Sequence, residues 1–217
     1  MTPDNKRSTD SHALDTPPER HPLQPFLPPN ARLLMLGSFP PPQKRWSMFF
    51  YYPNFQNDMW RIIGLIFKKD KNAFVDEPSK AFKMPALISF LSEAGIALYD
   101  TACEVRRQQG NASDKYLEII EPTDIGNLLE QLPHCHAIAV TGQKASDTAC
   151  MTFGLKQQPK VGGHISFALN GRRYELYRMP STSRAYPMSI EKKSLAYAAM
   201  FNSIGILKQS LTTERRK

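Results

Sequence analysis

The sequence predicts an α/β fold, a mostly parallel sheet with helices on both faces, from three observations. Apolar runs of strand length alternate with stretches whose apolar residues recur at helical spacing, the pattern of right-handed βαβ units. Glycine, proline or a capping residue marks most of the changes between them. The segments richest in aromatic, proline and hydroxyl residues follow strands, so a parallel sheet gathers them at one rim.

In chain order, residues 1–28 (MTPDNKRSTDSHALDTPPERHPLQPFLP) are rich in Pro, Ser, Thr and charge without apolar periodicity. They read as a disordered or loosely attached arm, ahead of a single domain at 29–217. The apolar run 33–36 is a buried parallel strand stopped by Gly37. Met59, Ile62, Ile63, Ile66 and Phe67 share one face of a helix at 58–67. Pro85 opens a helix that Gly95 closes. "GIALYDTA" (95–102) is the second strand, and Thr123 caps a helix reaching about Leu132. "HAIAVTG" (136–142) is the third strand, followed by a helix over "QKASDTACMTF". "RRYELYRMPST" (172–182) is the fourth strand. A final helix at 189–208 carries a buried stripe of Ala196, Ala199, Met200, Ser203 and Leu207.

The bulk numbers narrow the function. A chain of 217 residues, 41% hydrophobic and 22% charged, suits one packed domain. Its apolar runs fall short of the roughly 18–20 residues that span a bilayer. No basic-then-apolar leader opens it, so a cytoplasmic, bacterial-type, nucleoid-associated protein is expected. Cys103, Cys135 and Cys150 lie too far apart for a disulfide framework or a metal-ligand spacing. His134, His136 and His164 are isolated, and no Cys-x-x-Cys, Gly-x-Ser-x-Gly, Walker or dinucleotide motif appears. Metal hydrolysis and dinucleotide redox chemistry are disfavoured, and neither metal nor cofactor is expected. The net charge of +8 comes with small basic clusters at 68–69, 106–107, 172–173, 192–193 and 215–217. That spread predicts a surface tracking a phosphate backbone.

Three segments carry the chemistry. In "GSFPPPQKRWSMFFYYPNFQNDMW", Gly37 permits close backbone approach, and the amides of Ser38 and Phe39 are available donors. Phe39, Phe49, Phe50, Tyr51, Tyr52 and Phe55 offer faces on which a base stacks. Asn57 either caps the following helix or both accepts and donates toward a ligand. Asp100, ending the second strand, accepts from a ring N–H or caps the next turn. In "MPSTSRAYP", Ser181, Thr182 and Ser183 either grip phosphate oxygens or form a hydroxyl-rich turn. Arg184 and Tyr186 project from the same loop.

"LMLGSFP", "YYPNFQNDMWRI", "GIALYDT", "VTGQKA" and "MPSTSRA", in that order, resemble the uracil-DNA glycosylase superfamily, closest to its hypoxanthine-DNA glycosylase-like branch. The resemblance runs from about residue 32 to the last helix. It implies a three-layer α/β/α sandwich around a four-stranded, mostly parallel sheet. It also implies a monomeric, monofunctional enzyme of DNA base-excision repair. That enzyme hydrolyses the N-glycosidic bond of a flipped hypoxanthine or uracil without metal or cofactor. The catalytic candidates are then Asn57, orienting water or touching the sugar–base junction, and Ser38. Gly37, Phe39, Tyr52 and Asp100 form the base-binding set, with Tyr52 or Phe39 stacking. Ser181, Thr182, Ser183, Lys144 and Arg184 form the DNA-binding set, with Arg184 as the wedge.

Three positions depart from the family pattern: Phe39 where the most active enzymes carry a water-activating aspartate, Met179 where they carry a histidine, and Pro41 for a glycine. These departures predict a slow or narrow enzyme, since losing a side-chain base removes roughly 10²–10⁴-fold in rate. Two other readings remain: a non-catalytic DNA- or nucleotide-binding module on the same fold, and an α/β enzyme of a small acidic metabolite.

Overall fold

A computed structural model of the chain describes residues 16–108 and 114–207. Residues 1–15 of the expected arm, the basic cluster at 215–217 and the expected helix end at Lys208 lie outside that range. The described chain starts with β1 (Glu19–Arg20), then β2 (Leu33–Gly37), α1 (Met59–Lys68), and the hairpin of β3 (Val75–Asp76) and β4 (Ala81–Phe82). It continues through α2 (Met84–Ala94), β5 (Ile96–Asp100), β6 (Ala102–Arg107), β7 (Leu117–Pro122) and α3 (Ile125–Glu130). It closes with β8 (Ala137–Thr141), α4 (Gln143–Thr152), β9 (His164–Leu169), β10 (Arg172–Met179) and α5 (Ile190–Ser203).

The four expected strands form the parallel part of one sheet in the order β5–β2–β8–β10. β2, β5 and β8 are buried along their whole length, which is why each reads as an unbroken apolar run. The chain moves from β2 to β5 in one direction, then back past β2 to β8 and β10. With right-handed crossovers this puts α1 and α2 on one face and α3 and α4 on the other, giving three layers. The strand order reverses between β2 and β8, the crevice where such sheets bind ligands.

Several elements differ from the sequence reading. A fifth strand, β9, pairs antiparallel with β10 across a turn at Asn170 and Gly171, both with positive φ. An Asn–Gly pair between two strands is a strong hairpin signal. β6 and β7 lie between the second expected strand and α3, where the sequence reading has no strand, and form a small antiparallel sheet with β1. The N-cap of α3 is Asp124, whose side chain accepts from Asn127 N, and not Thr123; Thr123 Oγ1 instead donates to Asp100 O at 2.7 Å. In α5 the buried face is Lys193, Ser194, Tyr197, Met200 and Phe201, so only Met200 of the expected stripe is buried. A tyrosine and a lysine point inward there because each finds a polar partner for its tip.

The segment before β2, read from the sequence as part of a loose arm, lies against the sheet over residues 19–26. β1 pairs with β6, Phe26 bridges Leu98, and Leu23 is buried. Its apolar residues are too few to show a period, yet each meets a ready-made surface.

α1 is buried on nearly every side, and its Phe67 packs edge-on against Phe201 of α5 at 5.1 Å. Phe201→Ala is expected to cost about 3–5 kcal/mol by urea denaturation. Leu195→Ala on the exposed face of the same helix is expected to stay within about 0.5 kcal/mol.

Candidate functional site

A cavity of about 550 Å³ opens at the carboxyl edge of β2, β5 and β8. That volume lies within the roughly 300–1,000 Å³ of small-molecule sites. Gly37, Ser38, Phe39, Tyr52, Asn57, Asp100, Ser181, Thr182 and Ser183, all singled out in the sequence, line it. Arg184 and Lys144 are not among its lining residues. Tyr51, one of the rings offered for stacking, joins the wall, as do Asp114 and Thr141, which nothing in the sequence singles out.

The floor is built by the sheet. Gly37 and Asp100 are register partners at the ends of β2 and β5. A Cβ on Gly37 would stand 2.4 Å from Asp100 Oδ1, so only glycine leaves room for that carboxylate. Asp100 is 94% buried by its 6% exposure, and its Oδ2 lies 2.9 Å from His21 Nε2. Tyr52 has φ +47, a left-handed conformation a tyrosine rarely adopts, and its hydroxyl lies 3.2 Å from Thr141 Oγ1 at the end of β8. Burial raises the Tyr52 phenol well above its ordinary range, and the Asp100 charge adds to this, so it stays protonated. The amides of Ser38 and Phe39, just past the last ladder bond of β2, donate to no acceptor among the described residues.

The aromatic stretch divides into scaffold and wall. Phe50 packs against Phe26 and Trp60, and Tyr51 donates its hydroxyl to Gln24 O at 2.8 Å. Phe55 lies under the Arg61 guanidinium at 4.5 Å, and Phe49 is 64% exposed. Phe39, Tyr51 and Tyr52 reach the cavity, whereas Phe49, Phe50 and Phe55 do not. Phe39 is wedged edge-on to His21 at 5.2 Å, with the Arg107 guanidinium 5.6 Å from its ring centre.

Asn57 performs the local role its position allows: its Oδ1 accepts from Met59 N at 2.9 Å in the first turn of α1. It also forms a bridge to Ser183, drawing the loop of residues 181–184 against the start of α1. Asp58, which no local sequence signal marks, completes that junction. It is 7% exposed, and its amide donates to Thr182 O at 2.9 Å. Its Oδ2 accepts from Lys193 Nζ at 2.9 Å, and its Oδ1 from Arg184 Nε at 3.2 Å. Lys193 also donates to Ser183 O at 2.8 Å. Arg184, expected as a projecting wedge, is folded back here against Asp58 and Gln56.

Asp114, ahead of β7, brings a second carboxylate to the wall. Although solvent reaches much of the residue, loss of water around its carboxyl raises it above the ordinary carboxylate range, against a hydrogen bond from Ser38 that lowers it. Lys144, in the first turn of α4, is near enough to favour its charge.

The basic clusters divide as well. Arg107 is buried against Glu19 and Pro40 O, Lys193 is buried on Asp58, and Arg172 is bound to carbonyls that follow α3, including Cys135 O at 2.8 Å. Two of the expected surface cations, Arg107 and Lys193, are therefore internal and a third, Arg172, is half-buried on backbone carbonyls, which corrects the reading of every cluster as phosphate-facing.

No family model and no curated protein matches the chain. Among solved structures, a likeness covers 83% of this chain and 95% of the other, at a TM-score of 0.56 and 22% identity. The neighbour is the solution NMR structure of a "putative Uracil DNA glycosylase" from Methanosarcina acetivorans. The three-layer architecture is thus a uracil-DNA glycosylase-like fold.

Two outcomes test the geometry. Lys193→Met should destabilise the protein by about 3–5 kcal/mol by leaving Asp58 short of its buried partner, and Asp58→Asn added to it should recover part of that loss in a double-mutant cycle. Gly37→Ala should keep the fold by circular dichroism while displacing the Asp100 carboxylate, visible as lost protection of neighbouring amides in hydrogen exchange.

Proposed function

We propose that the protein is a DNA glycosylase that hydrolyses the N-glycosidic bond of a deaminated base, hypoxanthine or uracil, extruded from the helix into the cavity. One observation carries this reading. Residues far apart in the chain, 37–39, 52, 57, 100 and 181–183, converge on a single base-sized cavity in a fold of this kind. The hydroxyl-rich loop at 181–183 stands beside it, where it would take phosphate oxygens flanking the extruded nucleotide.

The chemistry follows from the wall. Tyr52 or Phe39 offers a flat face on which the base stacks, while Asp100 accepts from its ring N–H. The amides of Ser38 and Phe39 receive the carbonyl oxygen on which negative charge grows as the bond breaks. Water adds to C1′, the electron pair of the C1′–N bond leaves with the base, and the water proton passes to a carboxylate. Asn57 orients that water through the free lone pair of Oδ1 and through Nδ2. Asp114 takes the proton: it shares the wall with Ser38, and its raised carboxyl suits a base working nearer neutrality than an ordinary aspartate. The carboxylate missing from position 39 would then be supplied from another element.

Labelled duplexes carrying uracil, hypoxanthine, xanthine or thymine opposite each normal base, with protein in excess, provide the assay. An alkali-labile site at uracil or hypoxanthine is the expected result; none on any duplex, with salt-dependent binding retained, would support the binding-only module instead. Asn57→Ala should lower single-turnover rate by about 10²-fold with duplex affinity unchanged. Asp114 acts unprotonated, so the rate should rise with pH along an acid limb displaced upward from the usual carboxylate range. Asp114→Asn should flatten that limb and lower the rate by about 10²–10⁴-fold.

A further inference from the structure

His21 comes from the segment before β2 and is not part of the cavity wall, yet its ring stands directly behind Asp100. Three contacts lock it. Its amide donates to Cys103 O at 2.8 Å as the chain leaves β1, its ring is edge-on to Phe39, and it packs against Tyr99 at 4.7 Å. Its side chain is 2% exposed. The contact with Asp100 also decides where the proton sits. Nδ1 lies 3.2 Å from Leu23 N and 3.0 Å from Leu23 O. Nδ1 can accept from Leu23 N–H or donate to Leu23 O, so the decision falls at Nε2. A bare Nε2 would set lone pair against lone pair at 2.9 Å from Asp100 Oδ2, so Nε2 carries hydrogen and donates to the carboxylate.

We propose that His21 is a positioning residue for base selection: by donating to Oδ2 it fixes the Asp100 carboxylate so that Oδ1 meets the cavity as an acceptor only. Oδ1 stands over Gly37 and has no hydrogen-bond partner among the described residues, although the residue is nearly wholly buried. An acceptor held there, beside the donor amides of Ser38 and Phe39, matches a ring edge that presents N–H next to C=O. Uracil and hypoxanthine present that edge. Cytosine and adenine present a ring lone pair next to an amino group, so lone pair would oppose carboxylate and amino group would oppose amide. Buried groups left unpaired in this way reject a ligand strongly. A carboxylate free to turn would lose part of this discrimination. The selection thus depends on the docking of β1 against β6, which places His21.

The inference rests on the proposed base-binding role of the cavity, and its test separates the two. Two variants suffice: His21→Phe keeps a ring against Phe39 and Tyr99 but has no donor, and His21→Gln keeps a donor. Calorimetric titration with free uracil, cytosine, hypoxanthine and adenine gives the preference for each deaminated base over its amino parent. Single-turnover release from the corresponding duplexes gives KM-type and rate terms separately. His21→Phe should lower the preference by about 10-fold or more, chiefly through binding of the deaminated base, and His21→Gln should restore it to within about threefold. An unchanged preference in His21→Phe overturns the inference. Equal loss in both variants also overturns it, in favour of a packing role. Base preference that responds to His21 without any base release by the native protein would keep the inference and overturn the catalytic reading. Thermal melts of both variants identify any loss caused by unfolding; if His21→Phe melts below the assay temperature, retained or lost preference in His21→Gln alone decides.

Discussion

A buried carboxylate, Asp58, holds the rim of the site together. It sits one residue before α1, and two cations reach it from elsewhere in the chain: Lys193 from α5 and Arg184 from the hydroxyl-rich loop. A charge taken out of water is costly unless its partners are close and well aligned, and here both carboxylate oxygens are engaged. The same lysine also holds Ser183 O, and the Asp58 amide holds Thr182 O. The loop of residues 181–184 is therefore tied to the start of α1 by charge and by backbone bonds together. Since Asn57 and Ser181–Ser183 share the cavity wall, this junction sets its width.

The opposite wall is shaped by packing. Trp60 donates its indole N–H to Tyr51 O, and Tyr51 reaches Gln24 O. Those anchors leave Tyr52 in a left-handed conformation, its ring edge-on to Trp60 and its hydroxyl near Thr141. A strained residue persists only where its surroundings leave it no alternative, and such residues cluster at ligand sites. Most rings of the aromatic stretch serve this anchoring, and a minority face the cavity. The stretch is scaffold first and slot second.

Charge tells a similar story. A net charge of +8 suggests an outward basic face, yet Arg107 and Lys193 are spent inside the fold and Arg172 lies half-buried on backbone carbonyls. Lys193 satisfies a carboxylate that would otherwise be buried short of a partner, and the two arginines are held by backbone carbonyls and Glu19. The cationic character of the surface must come from the remainder, including Arg45 on the cavity wall. A composition count cannot separate these two uses of a basic residue.

The parallel strands and the main helices were legible in the sequence because each is encoded locally. A wholly buried strand reads as an apolar run, a helix as a 3.6-residue period, and its ends as proline, glycine or a cap. The rim was legible for the same reason: parallel strands put the segments that follow them on one side, so Gly37, Asn57, Asp100 and Ser181–Ser183 could be placed together without coordinates. What escaped was every contact between pieces lacking a period of their own. His21 on Asp100, Asp114 beside Ser38, and Asp58 between Lys193 and Arg184 join residues 76 to 135 positions apart, and nothing in their immediate neighbours marks them. The inward turn of Lys193 was hidden because a lysine in a helix reads as solvent-facing until a buried carboxylate is known to wait for it. Local order depends on the residues at hand; pairing of buried charges depends on where the chain crosses itself, and only the tertiary structure decides that.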